Sequence, residues 1–531
     1  MTTLYGCAAE RRAAPCRLPA WRAAHRAFPV IALALSCLLG MIGCGHSENQ
    51  PTRITIMQSE APLTMDPADH TASLTADVLS PMYEGLTQFD SHLNIVPWLA
   101  TSWKVDASGK QWTFMLRRDV YFHDGIPFNA EAVVHSFRRL MDPARGLAGR
   151  SRIQGIIGSV QAQGDHTVVF TLMNPYAPFL RVLAVTPIVS PAADNNGILS
   201  RYAVGTGPYR FVEWRTGEYV LEQRNDAYWG KRPVVKQLKW MWTTEPVLME
   251  MSVLARQADI VNPLPPIFAE ALSHNRKVQL IEGKSTAVFW VALNLQMKPL
   301  DDKRVRQALN YGVDREGLVR TQLRGFGTPA NSPLAPSDFG YNPANRGYTY
   351  DPAYAKQLLA QAGYPNGFSL KIVVQEADEP LAEALQGMWA RIGVRLEIDR
   401  MEHGVFSQTI FASPEAKRAQ GIGGVLASWA ANNADPDYQL SPLYRTSAWS
   451  PAGANVGFYS NPRLDALLRE AAGELDLEKR KALYYQAQRI ITEDAPHVLL
   501  YATRDVAAEH VGTVPEAVHL LPGSQIVLDG Q

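Results

Sequence analysis

All four cysteines of this 531-residue chain, Cys7, Cys16, Cys37 and Cys44, fall within its first 44 residues. Everything after them must fold without a disulfide, a thiolate metal ligand or a catalytic cysteine. That excludes zinc ribbons, CxxC redox motifs and thiol proteases. A stretch of this length held by packing alone exceeds one ordinary core, so two or three lobes are expected.

The cysteine-bearing segment carries Arg11, Arg12, Arg17, Arg22 and Arg26 against Glu10 alone, followed by an apolar run from Val30 to Gly43. This is the layout of a secretory signal. Its apolar length of about 14 residues falls short of the roughly 20 needed to span a bilayer. In LLGMIGCGHSENQ a cysteine follows a small residue and precedes a polar run, which resembles a bacterial lipobox with Cys44 as the lipidated residue. Met41 stands where Leu is usual, and ordinary signal cleavage near the same point is the alternative. Either reading places the working compartment outside the cytoplasm. Setting aside the five arginines and one glutamate of this segment leaves the remainder at about −4, which argues against nucleic acid and anionic membrane as partners.

Beyond the signal, short apolar runs alternate with amphipathic ones, a pattern that predicts an α/β fold. Helices are expected in PFNAEAVVHSFRRLMD behind Asn129, in DDKRVRQALNYGVDREGLV behind Asp301 or Asp302, in DPAYAKQLLAQAG ended by Gly363, and in LEKRKALYYQAQRIITEDA ended before Pro496. Strands are expected in QWTFMLRR, TVVFTLM, YVLEQR, STAVFWVALNL, SLKIVVQ and GGVLASW. The helix PLAEALQGMWARIG followed by the strand VRLEIDR reads as a compact α/β unit.

Catalytic signatures are missing. The chain has no GxSxG elbow, no HExxH and no Walker loop, and GTGPYR lacks the third glycine of a dinucleotide turn. His123, His135, His274 and His497 are scattered without metal-ligand spacing. Asp435 and Asp437 share one loop, so they cannot flank a glycosidic bond from two sides. No catalytic residue, metal or cofactor is expected.

The run from Met65 to Pro143 carries DP, YEGL, VPxLAxSW, FxLRxxVxFHDGxPFxAExVxxS and DP in order. It is followed by VGTGPYRFVEWRTGEYVLEQRNDAYWG, then LNLQMKPLDDKRVRQALNYGVDREGLV, then YDPAYAKQLLAQAGYPNGF. Over residues 53 to 505 this succession resembles the extracytoplasmic solute-binding proteins of ABC importers in the peptide, opine and nickel class. The resemblance implies a two-lobed periplasmic-binding-protein fold with a hinge and an extra small domain, closing on a ligand. Mapped onto this chain it implies a signal peptide with lipobox over 1–44, lobe I at 45–83 and 206–285, and the small domain at 84–205. Lobe II then takes 286–504, with a return to lobe I over 505–531. It further implies a monomeric, non-enzymatic subunit that hands its ligand to ABC permease subunits and touches the membrane only through a lipid anchor. The glycines, prolines and aromatics of FHDGIPF and GTGPYRFVEW read as turn and packing determinants.

In this family the loop after the GVLASW strand lines the cleft. In dipeptide and oligopeptide binders an Asp three residues after its Trp pairs the ligand ammonium; here that position is Asn432. An Arg that takes the ligand carboxylate follows the strand matching LKIVVQ; here Glu376 stands there. Both departures, with the downstream FYSN tetrad and an acid at Asp437, point towards the glutathione-binding branch. Asp437 is thus a candidate ammonium partner, with a helix N-cap as its structural alternative. Trp429 and Trp290 are candidates for cleft aromatics or for core. Ser73 and Thr71 are candidates by family position, and Arg445 is either a carboxylate anchor or a solvated loop charge. The expected ligand is a short peptide, with a γ-linked peptide such as glutathione first. Another amine or chelate of the same class (an opine, a nickel complex or haem) is the alternative, and a secreted hydrolase a more distant one.

Overall fold

A computed structural model describes residues 52–515, 518–521 and 525–528. The signal and the lipobox at Cys44 lie outside the described residues.

Three larger sheets, beside two two-stranded ones, carry the described residues. The strand Arg53–Gln58, inside the first, pairs in parallel with Gln237–Trp242 on one side and Ile260–Val261 on the other. Tyr219–Arg224 and Tyr209–Arg215 extend it past Gln237–Trp242, while Asp505–His510 and Val278–Gly283 extend it past Ile260–Val261. A second, antiparallel sheet of four strands, Ala100–Val105, Gln111–Leu116, Thr167–Leu172 and Ile157–Ala162, shares one apolar core with the first sheet. The third runs Gly327–Pro329, His497–Thr503, Ala287–Leu293, Gly424–Ala430, Phe368–Gln375, Val394–Met401, and has separate cores on its two faces. These mixed sheets are the α/β architecture that the alternating pattern predicts.

The chain passes from the first sheet to the third across residues 284–286 and returns at residue 504. The two crossings lie side by side. Ser285 Oγ is 3.1 Å from Thr503 Oγ1, and Arg504 Nη1 donates to Glu282 Oε2 at 2.9 Å. A pair of short adjacent connections leaves little backbone to resist rotation of one sheet against the other.

Local signals are obeyed. Asn129 caps Ala130–Met141 by accepting from the Ala132 amide, and Asp302, rather than Asp301, caps Lys303–Tyr311. The single helical stretch expected there is two helices: Asp314 opens Arg315–Gln322 by accepting from the Gly317 amide. Helices also form at Pro352–Gln361, Glu379–Ala390 and Leu477–Asp494, each where the pattern places one.

The signature blocks do structural work. Glu84 of YEGL accepts from Trp98 Nε1, Tyr228 Oη, Thr206 Oγ1 and Trp229 Nε1, so four donors from three other segments converge on one buried carboxylate. A Cβ on Gly205 or Gly207 would lie 2.1 Å from Met82 O or 2.4 Å from Pro81 O, so only glycine lets GTGPYR lie against that turn. His123 of FHDGIPF reaches the Gly207 carbonyl through Nε2 at 3.0 Å.

Candidate functional site

A cavity of about 460 Å³ lies between the core shared by the first two sheets and the third sheet, within the size range of small-molecule sites. From one side it is lined by the segment 67–89, by Arg152 and by Tyr176. From the other it is lined by Trp429, Asn432, Asn433 and the residues Asp437, Tyr438 and Ser441.

The loop WAANNADPDYQL forms the second wall. Its strand, Gly424–Ala430, ends at Trp429–Ala430, and the helix Pro436–Tyr444 begins after five intervening residues. Asp435 is the residue that caps this helix: its Oδ1 accepts from the Asp437 amide at 2.9 Å, and Pro436 fills the first helical position, where no amide donor is needed. The alternative reading of Asp437 as the cap is thereby corrected. Asp435 is fully buried and held by Arg480, which donates Nη1 to Oδ2 at 2.8 Å and Nη2 to Oδ1 at 2.7 Å. Burial works against its charge, but the Arg480 guanidinium outweighs that and holds the carboxyl below its ordinary range.

Asp437 differs. It lines the cavity at 8% exposure, with Tyr176 Oη donating to Oδ2 at 3.1 Å and Ser441 Oγ donating to Oδ1. Burial pushes its pKa up, the Ser441 hydrogen bond opposes this, and the neighbouring Asp435 charge adds to it. A carboxylate so placed gains most from a cationic partner brought into the cavity.

Of the other sequence candidates, Thr71, Ser73, Asn432 and Trp429 also line the cavity, and Trp429 is fixed by donating Nε1 to the Tyr438 carbonyl at 3.0 Å. Trp290 does not. It is 3% exposed on Ala287–Leu293, in the core and stacked on His497 with ring centroids 4.5 Å apart. It lies on the same face of the sheet as Trp429, which pairs with Val288, but farther from the strand end that reaches the cavity, and its reading as a cleft aromatic is corrected to core. Arg445 does not line the cavity either. It follows the last residue of Pro436–Tyr444, about 12 Å of helix rise from Asp437, and is half-buried there.

Sequence reasoning missed Arg152, His70, Tyr176 and Tyr438, all of which line the cavity. Arg152 closes the short turn Ala148–Arg152 and donates Nη2 to the His70 carbonyl at 2.8 Å and Nη1 to the Pro67 carbonyl at 3.3 Å. Burial lowers the His70 pKa to about 4, with Arg152 contributing, so its imidazole is neutral at physiological pH. Nothing in SRIQG marks Arg152 by pattern, because its role depends on a fold that brings 67–70 and 436–444 to the same space.

Four contacts bridge the two walls. Besides Tyr176 to Asp437, Arg181 of Phe179–Ala184 places Nε 3.7 Å from Asp435 Oδ2 and donates Nη1 to the Asn433 carbonyl at 3.4 Å, and the Ala177 amide donates to the Ala472 carbonyl at 2.7 Å. The cleft is in a closed arrangement.

Residues 94–451 match the family described as bacterial extracellular solute-binding proteins, family 5 Middle. The chain is 32% identical over 453 residues to the glutathione-binding protein GsiB of Pectobacterium atrosepticum, covering 84% of this chain and 87% of that relative. It is 30% identical over 495 residues to the GsiB of Escherichia coli K12, covering 92% and 95%. Among solved structures, the periplasmic binding protein DppA of Helicobacter pylori in complex with the peptide STSA superposes with a TM-score of 0.75 at 28% identity, covering 90% of this chain and 98% of that one.

Proposed function

The chain belongs to the family 5 bacterial extracellular solute-binding proteins, and from that premise we propose that it captures short peptides outside the cytoplasm and delivers them to an ABC permease. A γ-linked peptide of the glutathione type is the first choice of ligand. Its relatives are binding proteins rather than enzymes.

The observation that carries this reading is Asp437, a carboxylate that lines a closed cavity while its neighbour Asp435 is fully engaged by Arg480. An ammonium in the cavity would find Asp437 available and Asp435 not. The neutral Asn432 on the same wall leaves Asp437 as the acid of that loop facing the ligand. The position is shifted from the one that dipeptide binders use, and a γ-linked peptide presents its ammonium differently from an α-linked one. Names of relatives that bind glutathione support the same choice.

Closure on the ligand follows from contacts made to both walls, which bias the shut state over an open one. The adjacent crossings at 284–286 and 504 are the hinge in this reading. Anchoring through a lipid on Cys44, with the protein a periplasmic monomer, completes it.

Thermal unfolding with candidate ligands tests the proposal. Ligand at a hundred times its dissociation constant adds about 2.7 kcal/mol to the native state. Glutathione and di- or tripeptides should raise the melting temperature, and sugars should not. A rise with nickel chelates or haem alone would move the ligand to those classes.

A further inference from the structure

Arg152 is the one Arg or Lys that lines the cavity among the described residues. It makes no ion pair with any carboxylate of those residues; the acceptors it reaches are the carbonyls of Pro67 and His70. Other arginines of this region are matched: Arg139 and Arg145 meet Asp194, and Arg181 and Arg480 meet Asp435. Burial drives the Arg152 pKa down, and the opposing influence comes from Tyr438, the residue after Asp437 on the facing wall. An arginine half-buried without a counter-charge is costly, and a carboxylate is the partner that its planar fork suits best.

The other polar groups of the cavity do not meet that need. His70 is neutral and lies beside Arg152. Glu84 is closed off by four donors, and Asp77 faces Asn262, whose Nδ2 donates to it at 3.3 Å.

We infer that Arg152 anchors a carboxylate of the ligand, so that the cavity takes a zwitterion with its ammonium at Asp437 and its anionic end at Arg152. This rests on the peptide-binding reading and narrows it to ligands with a free carboxylate at that end. It also accounts for Glu376 where an anchoring arginine was expected from the resemblance. The positive group enters from the opposite wall, on a turn that closes over the ligand instead of from the strand beneath it. With one pole on each wall, a zwitterion contacts both and stabilises the shut form, whereas a simple amine contacts one.

Calorimetric titration of the wild type, Arg152→Gln and Arg152→Lys tests this, with trialanine, trialanine amide, glutathione and glutathione amidated at either carboxylate. The wild type should bind trialanine roughly tenfold or more tighter than its amide, and one glutathione amide should show a similar loss. Arg152→Gln should bind acid and amide alike, while Arg152→Lys keeps part of the preference. A purely structural role, through the carbonyls of Pro67 and His70, would weaken acid and amide equally and leave their ratio intact. That result, or equal binding of acid and amide by the wild type, overturns the carboxylate anchor while leaving the peptide reading standing. Failure of every one of these ligands to bind a cooperatively folded wild type overturns both.

Discussion

Arg480 grips both oxygens of Asp435, at 2.8 and 2.7 Å, with both side chains all but sealed from water. The grip has two effects. It fixes the carboxylate that caps Pro436–Tyr444, and it leaves the next acid of the loop, Asp437, as the one that faces the cavity.

Removing Asp435 should therefore be a stability change. Asp435→Ala strands the Arg480 guanidinium and removes the cap, at a cost of about 3–5 kcal/mol in denaturant unfolding. Asp435→Asn keeps a capping oxygen and should lose less. Because the folded carboxyl sits below its ordinary value of 3.8, its contribution is complete above that pH and disappears as pH falls through the lower folded value. Asp435→Asn should flatten that part of the acid-unfolding profile, and an unchanged profile would show that the pair does not govern it.

Asp437 should behave in the opposite way. Asp437→Asn should weaken binding by about 1.5–3 kcal/mol, or roughly ten- to a hundredfold, with no loss of ligand-free stability. The raised pKa means that its ionisation disfavours the ligand-free fold: that stability is greatest below the ordinary value and declines as pH rises towards the folded one. Asparagine should abolish that decline. An ammonium favours the ionised form, so binding should strengthen as pH rises through the ligand-free pKa and should release protons, seen as a buffer-dependent heat in calorimetry. Asn432→Asp, on the same wall, should improve capture of ordinary dipeptides. Wild-type affinity in Asp437→Asn with no gain in Asn432→Asp would place the ligand elsewhere.

The two tryptophans separate binding from packing. Trp429 lines the cavity, as does Trp98, whereas Trp290 stacks on His497 in the core, so the fluorescence change on adding ligand should fall in Trp429→Phe and persist in full in Trp290→Phe. Trp290→Ala should instead lower stability by about 3–5 kcal/mol. A ligand response carried by Trp290 would contradict this assignment.

Arg181 reaches across the cleft to Asp435 and the Asn433 carbonyl. Arg181→Ala removes these bridges without touching the cavity lining, so the ligand-free protein should be more open in solution scattering and its apparent affinity a few-fold weaker, as expected when the competent state is less populated. Identical scattering curves for the variant and the wild type would show that the bridge does not hold the cleft shut.

Cys44→Ala should move the protein from the membrane fraction to the soluble one. Since no cysteine follows Cys44, the fold should be unaffected. Equal partitioning before and after would leave simple secretion as the route.

Much of this protein is local in origin and can be read along the chain. Asn129 and Asp302 mark helix starts because a capping side chain acts on amides two or three residues away. The strands follow their apolar runs, and the succession of signature blocks identifies the family because those residues satisfy one another: Glu84 with its four donors, Gly205 and Gly207 against the turn at 81–82. The site was legible only in part. Asp437 and Trp429 follow a recognisable strand, but which acid of the loop is free depends on Arg480, which lies 45 residues downstream. Trp290 and Trp429 sit on neighbouring apolar strands and share one face of the third sheet, so what separates them is position along the strands: Trp290 is covered by the core, and Trp429, at the end of its strand, reaches the cavity. Arg152 had no sequence signal at all. A charge becomes a binding group by what it is denied, water and a nearby carboxylate, and that is decided by segments far apart in the chain meeting around one space.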